Sequence, residues 1–584
     1  MQPADRFPLR AADRVLRGGR ILTQDRRLPQ AEAIAIEADR FVAVGSNEAI
    51  SARIGAGTEV IDLAGRSVLP GLIDGHAHMD REGLKQVCPA LGDVRSIEDI
   101  QRRIAELARL RPPGEWIVTM PIGTPPGYFD APGCLREGRW PTRHELDQAA
   151  PEHPVFIRPI WGYWRHTAPL VSIANSAALA LAGIGRSTVS PTPTLTIERD
   201  AGGEPTGVFS EHTMMPIVEH SLLRCVPGFS DEDRARTLPA AMQAYHAFGT
   251  TGIFEEHGAA AELIRAYKRV RQQGQLTMRT ALVASPDWRS SGFAGSTHPD
   301  DYGRLLDAWS AHLSEPACGD AWLRLTGLFV DIDVVADNRI RAWSMPYTGW
   351  AGFNYDTALA REKARALLIA CAQRRIRVVA IWPNMLDLFA EVDQQVSIRD
   401  QRWVLGHLST LSPGDVGRIR DLGLVTTSHT NRYIYKEGHL LQEKLGPARA
   451  HEISPLRSLI DAGVPVSLAT DNVPVSMFWP IWQASTRMNR YTQRPVVPQQ
   501  ALTRSEALRC ATLDGAMLTF EEDARGSITP GKLADLTVLD QDPLTVADDA
   551  LKDLRSELTL VGGRTVWQRP GQQQDSAAID TPMA

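Results

Sequence analysis

The sequence predicts a (β/α)8 barrel, with a small β-sandwich domain built from both termini and a large insertion after the first barrel strand. Three observations lead there. Eight short apolar runs alternate with helix-like stretches, the pattern of buried parallel strands joined by crossover helices. Period-two segments at the start of the chain have counterparts at its end, down to a GGR at Gly18–Arg20 and another at Gly562–Arg564. About 170 residues separate the first apolar run from the second, far more than one crossover needs.

From the N-terminus, RVLRGGRILT (14–23), AIAIEADRFVAVG (33–45) and TEVIDLAG (58–65) alternate like half-buried strands. ADLTVLDQDP (534–543) and LTLVGGRTVW (558–567) do the same. Neither set makes a stable sheet alone, so 1–66 and 526–570 are expected to form one composite β-sandwich. SVLPGLIDGHAHMD (67–80) opens the barrel, expected over 67–84 and 241–525. The seven later strands are GTTGIFEEH (249–257), LTMRTALVAS (276–285), LRLTGLFVDID (323–333), RIRVVAIW (375–382), QRWVLGH (401–407), LGLVTTSH (422–429) and GVPVSLATD (463–471). Helical stretches such as DTALAREKARALLIACAQRR (356–375) lie between them. Residues 85–240, rich in Pro, Gly and Trp, form an inserted lid subdomain, and 571–584 are expected to be a disordered tail.

Composition narrows the class. At 584 residues the chain exceeds one hydrophobic core, and 43% hydrophobic with 23% charged residues is ordinary for a globular protein. A net charge of −6 gives no footprint for nucleic acid. No apolar run reaches the length of a membrane span, and the N-terminus lacks the apolar core of a signal peptide. Six cysteines without a CxxC pair suit reduced thiols. A cytoplasmic protein is expected, with a small-molecule substrate and a homodimer as the default assembly.

Barrel active sites sit at the C-terminal strand ends, where this chain places His76, His78, Glu255 to His257, Asp331, Asp333, His407, His429 and Asp471. His76 and His78 share a strand face because side chains alternate, which is the geometry of two ligands on one metal.

The motifs VLPGLIDGHAH (68–78), GTTGIF (249–254), LGH (405–407), ATDNVPVS (469–476) and GSITPGKLADLTVLDQDPL (526–544) resemble those of the amidohydrolase superfamily. RHTAPLVSIANSAAL (165–179), DAGGEPTGV (200–208) and MPYTGW (345–350) resemble its large-insertion branch, which includes the N-substituted formamide deformylases. The resemblance implies a divalent metal site, usually zinc, holding one or two ions at the barrel mouth. It makes His76 and His78 the first-strand ligands, His407 the sixth-strand ligand and Asp471 the eighth-strand aspartate. Imidazoles and a carboxylate suit zinc, which lowers the pKa of water, and Asp471 could take the water's proton and pass it to the leaving nitrogen.

Two positions depart from that pattern. Phe329 stands where the branch usually carries a metal-bridging lysine, and Ala380 where it carries a fifth-strand histidine, so a single-ion site is the simpler expectation. Asp331 or Asp333, and Glu255 or His257, are replacement ligands or else hydrogen-bonded strand-end residues. His429, with Arg432 beside it, is a substrate contact, a late ligand or loop structure. His166 contacts substrate or is a buried structural histidine. Trp164 and Trp382, among other tryptophans, line an apolar pocket or belong to the core. Asp74 and Asp80 are placed to support the histidines. The expected activity is metal-dependent hydrolysis of a C–N bond in a small N-acyl, N-formyl or carbamate-type substrate, aryl groups included. The alternatives are a heterocycle deaminase and a catalytically degenerate binding protein.

Overall fold

The computed structural model describes residues 10–125, 128, 130–159, 169–212, 217–286, 297–313, 318–332, 358–472 and 474–570. The tail 571–584 lies outside the described residues.

Eight parallel strands stand side by side in chain order: β1 (Leu72–Asp74), β2 (Thr250–Ala259), β3 (Arg279–Ala284), β4 (Leu323–Phe329), β5 (Val378–Ala380), β6 (Val404–Leu405), β7 (Val425–Ser428) and β8 (Val466–Leu468). This is the predicted (β/α)8 barrel. The ends of the row meet where the Gly75 amide donates to the Leu468 carbonyl (3.0 Å) and the Asp471 amide to the His76 carbonyl (3.0 Å). Gly75 makes that approach possible: a β-carbon there would lie 2.9 Å from Ser467 Cβ and 3.0 Å from the Leu468 oxygen. Phe254, Val283, Phe329, Val379, Val404 and Val425 pack together as the barrel interior, while Ile253 and Leu282 face the layer of helices Asp231–His246 and Ala261–Gln272.

The apolar run that opens the barrel is two strands. Ser67–Pro70 pairs with Leu536–Leu539, and only Leu72–Asp74 pairs with β2. The break falls at Pro70, whose nitrogen cannot donate to a ladder, and Gly71, where a β-carbon would strike the Thr251 side chain.

Ser67–Pro70 and Arg20–Leu22 share a six-stranded sheet with Leu536–Leu539, Ser556–Val561 and Arg564–Gln568, so both chain ends build it. A four-stranded sheet of Arg40–Gly45, Ala33–Glu37, Arg14–Arg17 and Glu59–Asp62 packs against it through Leu16, Ile34, Val68 and Leu536. Asp535 of this composite sandwich holds Arg279 of β3 through two hydrogen bonds of 2.6 and 3.0 Å. Between β1 and β2, a separate five-stranded sheet runs Leu195–Arg199, Pro205–Glu211, Leu170–Ala174, Val155–Ile157, Ile117–Thr119.

His246 closes the helix that leads into β2. Its ring nitrogens engage the Thr250 carbonyl (2.8 Å) and Thr277 Oγ1 (3.0 Å), and complete burial pushes its pKa down from 6.5 to about 4. The folded state therefore binds this proton more weakly than the unfolded chain, so the stability is present above pH 6.5 and is lost as pH falls toward 4. Urea unfolding is expected to show about 2 kcal/mol lost between pH 7 and pH 5 in the wild type beyond any loss in His246→Gln.

Candidate metal centre

The site is assembled at the C-terminal ends of β1, β2, β6, β7 and β8. His76 and His78 leave β1 in phase and meet at 2.9 Å between their Nε2 atoms, and Asp471 Oδ1 from beyond β8 lies 3.1 Å from His78 Nε2 and 3.8 Å from His76 Nε2. A tetrahedral zinc with ligand bonds near 2.0–2.1 Å sets its donors about 3.3 Å apart. The three separations, 2.9, 3.1 and 3.8 Å, bracket that spacing. His429 Nε2 comes within 2.9 Å of His76 Nδ1, and its ring centroid lies 4.0 Å from that of His407, the rings tilted by 39°. His76, His407 and His429 form one group whose ligand atoms lie within 4.8 Å of one another, and His76, His78 and His257 form a second. The cluster thus has the donors of a divalent-metal centre for one ion or two.

The electrostatics fit a cation. Burial pushes the His76, His78 and His407 imidazoles below 6.5, leaving them neutral with a lone pair to donate. Burial alone would raise the Asp471 carboxyl, but His429 and His78 outweigh it and hold it well below the usual range. Glu256 is likewise held low against its burial, by His76 and His429. Two ionised carboxylates then demand positive charge, and against its own burial His429 is raised to about 9 by Asp471 and Glu256.

The backbone is bent to deliver these groups. His407, Asp471 and Asn472 all adopt positive φ, at 49°, 51° and 63°, conformations that cost about 1–3 kcal/mol outside glycine and that cluster at functional sites. Asp74 fastens the seam between β8 and β1: it accepts from the Thr470 amide (3.0 Å), the Thr470 hydroxyl and the His76 amide (3.1 Å). Asp80 makes a buried ion pair with Arg234 of helix Asp231–His246.

The remaining sequence candidates fall at varying distances from the centre. Glu255 faces the helix layer and reaches the site only through His78, its Oε2 3.6 Å from His78 Nδ1. Asp331 is buried but belongs to neither donor group, and its carboxylate accepts from the Ile332 amide (2.7 Å). Arg432 lies in a π-helical turn, Asn431–Lys436, donating to Glu437 (3.0 Å) with its guanidinium over Tyr433. Trp382 packs edge-on against His407 with ring centroids 5.0 Å apart. Asp333, His166 and Trp164 lie outside the described residues.

The sequence places Glu256 among the strand-end residues without assigning it a role, and it does not single out Asn472 or Tyr245. Glu256 stands two residues after Phe254, so alternation sends both into the barrel. Asn472 clamps the backbone of His78: its Oδ1 accepts from the His78 amide (2.8 Å) and from Tyr245 Oη (2.5 Å), while Nδ2 donates to the His78 carbonyl. Asn472→Ala removes three buried hydrogen bonds at once and is expected to cost about 3 kcal/mol and to weaken metal binding, checked by urea unfolding and zinc titration.

With this geometry in view, the chain compares with known proteins as follows. The model of the Amidohydrolase family matches residues 59–567. The N-substituted formamide deformylase of Arthrobacter pascens is 29% identical over 96% of this chain and 99% of its own length. Protein LONG AFTER FAR-RED 3 of Arabidopsis thaliana is 26% identical over 95% and 92%. Among solved structures, a metal-dependent hydrolase from Pyrococcus horikoshii shares the fold with a TM-score of 0.65 at 19% identity, covering 92% of this chain and 99% of that one.

Proposed function

The chain belongs to the amidohydrolase family and is a metal-dependent hydrolase of carbon–nitrogen bonds, and from that premise we propose that its substrate is a small N-formyl or N-acyl amide with an aryl or other apolar substituent on nitrogen. One observation supports this most: His76 Nε2, His78 Nε2 and the ionised Asp471 carboxylate converge within 2.9 to 3.8 Å of one another. The full-length likeness to an N-substituted formamide deformylase supports the formyl or acyl class, and Trp382 at the mouth supports an apolar substituent.

His76, His78 and Asp471 would hold the ion; His257 shares a donor group with His76 and His78, while His407 and His429 share one with His76. The bound metal supplies Lewis acidity toward the amide carbonyl and makes water a nucleophile near neutral pH. Asp471 accepts the proton that the attacking water loses and delivers it to the departing nitrogen, so the amine leaves neutral. Trp382 presents an apolar edge beside His407 and keeps bulk water from that side. The inserted residues 85–240 are the lid in this reading, and their last residues run into the barrel helix Asp231–His246. The enzyme acts as a cytoplasmic homodimer.

A panel of N-formyl and N-acetyl anilines and benzylamines tests the reading, with formate or acetate and the amine assayed together. Equimolar release of acid and amine is the expected result. Ammonia from an aminated heterocycle, with the amides untouched, would replace the proposal with a deaminase.

A further inference from the structure

We infer that the two successive glutamates of β2, Glu255 and Glu256, hold the two β1 histidines from opposite sides of the strand and set which ring nitrogen each presents to the metal. The inference rests on the metal-centre reading above and assigns these glutamates as positioning residues rather than ligands.

Alternation along β2 separates them. Phe254 and Glu256 point into the barrel, Ile253 and Glu255 into the helix layer. From inside, Glu256 Oε2 hydrogen-bonds His76 Nδ1, and Oε1 accepts from Thr427 Oγ1 of β7 (2.6 Å). Gly406 makes room for that carboxylate, since a β-carbon there would lie 2.8 Å from Glu256 Cδ. From outside, Glu255 Oε1 accepts from the Met79 amide (2.9 Å) and from Tyr267 Oη (2.6 Å), which turns Oε2 toward His78 Nδ1 at 3.6 Å, facing it from just beyond hydrogen-bond distance. Both side chains are buried, at 0% and 1% exposure, so water does not compete for either carboxylate.

The consequence concerns tautomers. An imidazole whose Nδ1–H points at a carboxylate keeps its lone pair on Nε2 and becomes a stronger donor there. His76 is held that way by direct contact, with His429 Nε2 also 2.9 Å from its Nδ1, and His78 faces its carboxylate at 3.6 Å; the two Nε2 atoms face each other at 2.9 Å, with Asp471 beside them. Each glutamate spends its other oxygen on a fixed partner, Thr427 for one and Tyr267 with the Met79 amide for the other, which suits a brace. HAH on β1 and EE on β2 thus form matched pairs, Glu256 with His76 and Glu255 with His78.

The test compares the full chain with Glu256→Gln, Glu255→Gln and Tyr267→Phe. Zinc affinity is measured by competition with a chromophoric chelator, ion content at saturating zinc by elemental analysis, and coordination by the visible absorption of the cobalt(II) form. Glutamine keeps shape but favours the other tautomer, so each Gln variant is expected to bind zinc about 10–100-fold more weakly. Ion content at saturation and the cobalt band intensities are expected to stay at wild-type values. Tyr267→Phe, which only loosens Glu255, is expected to fall between wild type and Glu255→Gln. Lower ion content at saturation in either Gln variant would make that glutamate a ligand and overturn the inference, as would unchanged affinity in both. A wild-type chain that takes up no zinc overturns the metal-centre reading itself, a result distinct from either.

Discussion

Removing the metal with a chelator is expected to bring turnover to the uncatalysed background, and returning zinc is expected to restore it. The magnitude follows from what water must do: its pKa has to fall from far above neutral to about 7 for a nucleophile to exist at neutral pH, and no side chain at this mouth achieves that alone. The stripped protein is expected to remain folded. The barrel interior around Phe254, Val379 and Val425 and the sandwich core around Leu16 and Leu536 pack without reference to the ion. Its unfolding midpoint should fall only by the linkage of metal to the native state. Dialysis, activity assays and a thermal melt on the same sample check all three outcomes. Background-level activity that zinc does not rescue in a folded protein would count against a metal mechanism.

Asp471→Asn is expected to lower kcat by at least about 10²–10⁴-fold, the range for losing a positioned general acid and base, with part of the metal affinity lost as well. The substitution is close to isosteric, and asparagine tolerates the positive φ of 51° at this position, so backbone strain does not confound the result. It removes the ionised oxygen 3.1 Å from His78 Nε2 and the partner of His429 Nδ1 at 3.6 Å. Circular dichroism and urea unfolding near wild type, alongside lost turnover at saturating zinc, would separate the chemical role of Asp471 from a structural one.

Much of this was readable from the residues in order. Parallel strands buried on both faces are apolar along their length, which is why all eight barrel strands stand out, and the echo of GGR at both ends exposed the shared sandwich. His76 and His78 do come together as their spacing suggests, although both lie beyond the end of β1 at Asp74, where alternation no longer governs. The parts that did not show depend on contacts between distant segments. Asn472 is an ordinary residue after an aspartate until β8 closes against β1 and sets it on the His78 backbone, 394 positions earlier in sequence. The π-helical turn of Asn431–Lys436 has no signature in hydrophobic periodicity, and it directs Arg432 to Glu437. The division of the opening run at Pro70 was visible in principle, since a proline interrupts a central ladder, but the run's unbroken apolarity masked it. Within EEH, alternation from Phe254 sends Glu256 into the barrel, whereas Glu255 and His257 are the two residues expected there as replacement ligands.

The central claim is that a divalent ion sits on His76, which both donor groups share. Elemental analysis of metal per chain, on wild type and His76→Ala saturated with zinc and then desalted, tests it most directly. The account expects about one to two ions per wild-type chain and less than about one tenth of that in His76→Ala, with both proteins folded. A wild type that carries no metal, or a His76→Ala chain that keeps its full content, would contradict it.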